Sequence, residues 1–180
     1  MYNDYKWVFM LYSLGGVMEK IKREIINLLS ENAKYTNEQM ANVIGVTSKE
    51  VETAVKELEK DGVIVKYAAI INTEAIENKK TQALIEVKVA PQTLKGFDSY
   101  AEEIYSFPEV VSLYLMSGGF DLAVFVEGEG ITDIAKFISE KLSVIDGIVS
   151  VQTHFILKKY KIEGQVTRPT EECKRQIIHV

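Results

Sequence analysis

The sequence predicts an α+β chain in two parts: three N-terminal helices, then a C-terminal unit of order βαββαβ. Three observations carry this reading. Apolar residues recur at helical spacing from Ile21 to Leu58, punctuated by Gly45. A polar stretch, residues 72–80, ends that pattern. Beyond it, strand-like alternation and helical spacing follow each other in the order strand, helix, strand, strand, helix, strand.

The helical part comes first. From Glu19 to Glu31, Ile21, Ile25, Leu28 and Leu29 define one apolar face, with Ile26 beside it. Asn32 to Tyr35 break the pattern. Thr36 is then a suitable N-cap, because Gln39 stands three residues later as a capping box requires. Met40, Ala41, Val43 and Ile44 form the apolar side of a short second helix, and Gly45 is its left-handed stop. After Val46 and Thr47, Ser48 is expected to cap a third helix that runs to about Asp61 and ends at Gly62. Val63 to Val65 and Tyr67 to Ile71 read as extended, β-rich segments. Three helices with a tight glycine turn between the second and third describe a helix-turn-helix. The spacing Ala41, Gly45, Val51 fits it: a small residue where helices cross, a glycine in the turn, an apolar anchor in the third helix.

The second part begins after the polar connection. Ala83 to Val89 alternates as a strand, with Glu86 and Lys88 between apolar neighbours. Phe97 to Phe107 is helical, through Phe97, Tyr100, Ala101, Ile104 and Tyr105. Val110 to Met116 is a strand, Ser117 to Gly119 a turn, and Leu122 to Val126 another strand. Ile131 to Val144 is helical, and Ile148 to Leu157 is the last strand. This order is the split, ferredoxin-like motif. An internal echo supports it, since Pro108 to Leu113 resembles Asp146 to Val151, each between a helix and a strand. A sheet with helices on one face leaves the other needing a partner, so dimerisation through the sheet is expected. The large apolar side chains of Val111, Leu113, Tyr114, Leu115 and Met116 fit that expectation. The domains are therefore 18–66, helix-turn-helix; 67–80, linker strand and loop; and 81–160, ferredoxin-like. Residues 161–180 form a C-terminal tail that either adds a short edge strand or stays mobile.

Residues 1–17 stand apart. Trp7 to Val17 is an apolar run, too short to span a bilayer as a helix, with no small-residue cleavage site after it. It reads as an upstream extension ahead of Met18, with a structural arm as the alternative. Hydrophobic residues make up 47% of the 180 and charged residues 26%, an ordinary globular balance. The net charge is -5, so any basic surface has to be local. Cys173 is the single cysteine, which excludes an internal disulfide and fits a reducing cytoplasm. No metal-ligand spacing, hydrolase elbow, phosphate-binding loop or dinucleotide fingerprint occurs, and no cofactor is expected. His154 follows Thr153 in a strand and so points to the other sheet face. There it is expected to pack or to meet a subunit interface. His179 is the other histidine.

Several segments together resemble the Lrp/AsnC family of transcriptional regulators, over roughly Met18 to Tyr160. Ala41 to Thr47 resembles the family's second helix and turn, and Leu58 to Ile64 its third-helix ending. Ser117-Gly118-Gly119-Phe120-Asp121 resembles its T-G-x-x-D loop. Asp146 to Ile148 and Thr153 resemble its last strand. The resemblance implies a winged-type helix-turn-helix and a ferredoxin-like βαββαβ (RAM-type) domain. It further implies DNA binding as a homodimer or a larger ring of dimers, up to an octamer. The implied effector is small, an amino acid or related metabolite, held near the glycine loop and between subunits.

Two candidate sites follow. On a helical wheel of roughly 100° per residue, Val51, Val55 and Leu58 form the buried side of the third helix. Lys49, Thr53, Lys56 and Lys60 gather at the opposite pole, as a groove-facing helix requires. With Ser48 at the cap of the third helix, Thr47 just before it, and Thr36 at the cap of the second helix, these are the candidate DNA contacts. Glu50, Glu52, Glu57 and Glu59 flank the stripe, so a merely solvated mixed-charge face is the alternative. The family commonly carries arginines where this chain has Thr53, Ala54 and Glu57. From Met18 to Lys66 there are eight basic side chains against nine acidic. At the loop, Gly118 and Gly119 permit an anion-binding backbone, Asp121 can pair with an ammonium, and Ser117 and Thr153 add hydroxyls. A plain hairpin turn closed by Asp121 is the alternative there.

Two rival functions accompany the regulator reading. One is a metabolite-sensing module that acts through protein partners, suggested by the acidic third helix. The other is an enzyme resembling sirohaem decarboxylases. The body of the chain offers that chemistry only His154 and Arg23.

Overall fold

The computed structural model describes residues 5–77, 79–90 and 96–167, with side chains from Gly16 onward, Glu74 excepted. Two compact units divide between Ile70 and Ile71. Among the described residues, no helix is long and apolar enough to cross a membrane.

The first unit holds α1 (Tyr5–Glu31), α2 (Asn37–Ile44) and α3 (Ser48–Lys60). α1 is longer than its amphipathic pattern: its backbone continues upstream through Val17 as far as Tyr5. Residues 1–4 of the expected extension lie outside the described residues. Ile21 and Ile25 of α1, Met40 and Ala41 of α2, and Val51, Ala54 and Leu58 of α3 form one buried cluster. The capping box on α2 forms as its spacing requires. The Thr36 hydroxyl accepts the Gln39 N–H at 3.2 Å, and the Gln39 side chain accepts the Thr36 N–H at 2.9 Å. Gly45 ends the helix at φ 81, and its N–H donates to the Ala41 carbonyl at 2.8 Å.

The cap of α3 corrects the sequence expectation. Thr47, not Ser48, is the N-cap. Its N–H donates to the Glu50 carboxylate at 2.8 Å, and its hydroxyl accepts the Glu50 N–H at 3.3 Å. A reciprocal cap needs an acidic or amide side chain three residues on. Thr47 has Glu50 there, whereas Ser48 has Val51. A second correction concerns the β-rich stretch after Gly62, since residues 63–72 contain no strand. Ile64 packs on the helical core, and the Tyr67 hydroxyl donates to Glu59 at 2.9 Å. β-branched composition suits a pleated surface but does not supply a partner strand.

The second unit contains β1 (Thr81–Val89), α4 (Phe97–Tyr105), β2 (Val110–Leu115), β3 (Leu122–Gly128), α5 (Ile131–Phe137) and β4 (Ile148–Phe155). One π-helical turn, Ile138–Leu142, extends α5. The four strands form an antiparallel sheet in the order β2-β3-β1-β4. Ala83, Ile85, Val87 and Val89 alternate along β1 into a core closed by Tyr100 and Ile104 of α4 and by Ile134 and Phe137 of α5. Period-2 alternation sends Leu84 and Glu86 to the opposite, helix-free face. Phe125 stands across from Leu84 there, and its ring meets that of Tyr114 edge-on at 5.9 Å.

Buried Tyr100 fixes the entry to β4. A Cβ on Gly147 would overlap its phenol ring, and Gly147 sits at φ +90. Among the described residues, the tail does not add an edge strand to the sheet: β5 (Lys161–Ile162) and β6 (Gln165–Val166) pair with each other. Cys173 and His179 lie outside the described residues.

Candidate nucleic-acid interface and effector loop

The outer face of α3 carries every residue of the expected stripe. Val51, Ala54 and Leu58 are buried, while Lys49, Thr53, Lys56 and Lys60 are all exposed. The buried centre lies slightly toward Ala54, and Val55 is only half-buried. That displacement leaves the four polar residues on the pole away from the core. Thr36, Thr47 and Ser48 are exposed too, but the two threonines are occupied as caps. The Thr53 hydroxyl donates to the Lys49 carbonyl at 2.9 Å.

The flanking carboxylates are each engaged. Glu50 caps α3 through Thr47, and these hydrogen bonds hold its carboxyl below the usual range. Glu52 pairs with Lys56 at 2.6 Å, which lowers the Glu52 pKa and raises that of Lys56. Glu57 pairs at 2.9 Å with Lys22 of α1, whose pKa is raised mainly by that hydrogen bond. Glu59 accepts the Tyr67 hydroxyl. Among the described residues, Lys49 and Lys60 make no ion pair, so two cations of the stripe face solvent uncommitted. The Lys22–Glu57 and Tyr67–Glu59 contacts were not legible in the sequence, because their partners come from other segments.

The glycine loop departs from its expected form. Neither Gly118 nor Gly119 takes a left-handed backbone, so the alternating conformation of an anion nest is not present. A Cβ at either position would meet open space. Ser117, Gly118 and Gly119 are exposed, while Asp121 is half-buried and committed to the sheet. Its N–H donates to the Val87 carbonyl at 3.0 Å, and its carboxylate accepts the Val89 N–H at 2.9 Å. Met116 N–H donates to the Asp121 carbonyl at 2.8 Å.

Thr153 is not brought to this loop within one chain. It pairs with Ile85 of β1, which pairs in turn with Val124, well inside β3 from Asp121. Thr153 therefore shares the helix-covered face with Ile85. His154 points to the open face, as expected, with Nε2 3.2 Å from Glu86 Oε1.

A glycine-turned helical unit with an exposed lysine stripe on its third helix, joined to a ferredoxin-like sheet unit, has the layout of a transcriptional regulator with a sensing domain. The comparisons agree. Residues 18–65 match the winged helix-turn-helix DNA-binding model, and residues 82–166 match the Lrp/AsnC ligand binding domain. YugG of Bacillus subtilis (strain 168), an HTH-type transcriptional regulator, is 44% identical over 156 residues, covering 86% of this chain and 94% of YugG. Among solved structures, the leucine response regulatory protein LrpA of Mycobacterium tuberculosis superposes with a TM-score of 0.68 at 20% identity, covering 82% of this chain and 98% of LrpA. A Neisseria meningitidis transcriptional regulator, solved as its L-Met complex, superposes with a TM-score of 0.60 at 24% identity, covering 79% and 92%.

The chain is thus a helix-turn-helix transcriptional regulator with a ligand-binding domain. It belongs to the Lrp/AsnC family. The decarboxylase alternative is set aside, because the matched relatives are regulators and not enzymes.

Proposed function

We propose that the chain binds DNA in the cytoplasm as a homodimer, or as a ring of dimers up to an octamer, and that a small effector adjusts this binding. The observation that carries the DNA reading is the exposed Lys49–Thr53–Lys56–Lys60 stripe, diametrically opposite the buried Val51–Ala54–Leu58 side of α3. The stripe neutralises phosphates, and Ser48, Lys49 and Thr53 lie nearest the helix start, where base edges are reached. With few cations per subunit, useful affinity needs two copies.

The effector is an amino acid received at Ser117–Asp121. The exposed, side-chain-free glycines leave room for it, and the L-Met complex of the Neisseria relative favours this chemistry. Asp121 offers its carboxylate to an ammonium in addition to the backbone bond it already accepts. Thr153 reaches the ligand only if a second subunit brings it there. Dimerisation uses the helix-free sheet face, with Tyr114 and Phe125 at its apolar centre.

The test is fluorescence anisotropy of labelled DNA from the upstream region of the protein's own gene, at low and physiological salt, with an amino-acid panel. Binding that survives physiological salt and shifts with one amino acid supports the proposal. Absence of binding at both salts favours the second reading, a metabolite sensor acting through protein partners. The acidic third helix, with four glutamates against three lysines, is the observation behind that reading.

A further inference from the structure

Four lysines converge where the chain enters and leaves the sheet. Lys79 and Lys80 precede β1, and Lys158 and Lys159 follow β4. They are far apart in sequence, but β1 and β4 are antiparallel neighbours with Ala83 opposite Phe155, so the start of one strand lies beside the end of the other. All four line one cavity of about 240 Å³. Among the described residues lining it, Glu127 is the one acidic side chain. Glu127 is already engaged, accepting Gln82 at 2.9 Å and lying 3.6 Å from Lys80. Among the described lining residues, lysines thus outnumber acidic side chains four to one, in a chain whose net charge is -5.

The wall is not only cationic. Ile131, Phe155 and Ile156 give it an apolar side, and Thr73 and Thr81 add hydroxyls. A cavity lined in this way favours a compact molecule with an oxyanion at one end and an apolar body at the other. It is a hollow rather than a flat strip, which suits a small ligand better than a polymer backbone. It also lies at the opposite end of the sheet from the glycine loop. β1 pairs with β3 from Thr81–Gly128 at the cavity end to Val87–Leu122 at the loop end.

We propose that this cavity is a second ligand site, taking a small carboxylate or phosphate with a compact apolar body. It goes beyond the effector loop and does not depend on DNA binding. Thr73, Lys79 and Lys80 belong to the segment that follows the division between the two units. A ligand held there ties that segment to the far ends of β3 and β4.

The experiment is an amide-shift titration of isotope-labelled full-length protein with phenyl phosphate, butyrate, inorganic phosphate and neutral benzyl alcohol. Saturable shifts at Thr81, Gln82, Lys158 and Lys159, with Ser117–Asp121 unmoved, are the expected result. The charged probes with an apolar body should bind more tightly than inorganic phosphate, and benzyl alcohol least. The K80Q/K159Q double variant keeps the side-chain stems and should weaken phenyl phosphate by roughly tenfold or more. Its unaltered spectrum elsewhere reports that it folds. No saturable shift at these residues with any anion overturns the site, as does undiminished binding by the folded double variant. Should a short DNA duplex move these residues while phenyl phosphate does not, the cluster is a polyanion-facing surface and the small-ligand assignment is wrong.

Discussion

The Asp121 carboxylate accepts the Val89 N–H at 2.9 Å, tying the end of the glycine loop to the end of β1. This bond and an ammonium contact make separable demands on one side chain. Asp121→Ala leaves a part-buried N–H without its acceptor and should cost about 1–3 kcal/mol in denaturant unfolding. Asp121→Asn keeps an oxygen acceptor and should recover most of that loss. Calorimetric titration with the active amino acid then divides the roles. If the Asp121→Asn variant folds normally and still binds with unchanged affinity, Asp121 is structural alone.

The uncommitted lysines of α3 should act through phosphate charge. Lys49→Ala and Lys60→Ala are expected to weaken binding to all DNA sequences alike. Each should reduce the salt slope by about 0.9 per phosphate contact removed in each subunit. Equal slopes for wild type and both variants would demote the stripe to a solvated face.

Thr47 and Ser48 make a paired test of the α3 cap. Thr47→Ala removes the acceptor for the Glu50 N–H and should cost about 1 kcal/mol, whereas Ser48→Ala should be nearly neutral. Thermal unfolding followed by circular dichroism distinguishes them. The reverse ranking would return the cap to Ser48.

Two glycines should respond unequally to alanine. At Gly45, with φ +81 and open space around it, the cost is backbone strain of about 1–2 kcal/mol. At Gly147 the same kind of strain is joined by overlap with the Tyr100 ring, and the loss should exceed about 3 kcal/mol. Denaturant midpoints would expose the difference, and equal losses would mean that Tyr100 moves aside easily.

Acid should loosen the sheet unit through Glu109. A hydrogen bond from Lys141 holds the Glu109 carboxyl below its ordinary value of 4.5. A lowered folded-state pKa stabilises the protein above the unfolded value, and that contribution disappears as pH falls through the folded value. Glu109→Gln should therefore flatten the fall in stability below about pH 4.5 relative to wild type. Identical acid profiles would count against the pair.

Much of this fold was legible because its signals are local. Thr36–Gln39, Gly45 and the alternation along β1 each act within a few residues. The Thr47 cap was legible too, since Glu50 stands three positions on, but the serine beside it drew the assignment one residue late. The β-rich stretch after Gly62 misled because strand composition says nothing about a partner. Ala54 lies in the core at a position where family members commonly carry arginine, and its small size leaves the choice of face to packing. The site residues were less legible. Asp121 was visible as a residue, but its bond to Val89 depends on strand register. Lys79, Lys80, Lys158 and Lys159 become neighbours only when β1 and β4 pair.

That pairing also sets a timetable. β1 is made early and lies between β3 and β4, so its two edges are satisfied at different moments. The helical unit closes on nearby contacts and can fold while the remainder is still being synthesised. β3 can shield one edge of β1 once residue 128 has emerged. The other edge waits for Phe155, near the end of the sheet unit. A chain stalled between those points would carry a finished helix-turn-helix beside a sheet with a bare edge on its central strand, a form prone to misassociation.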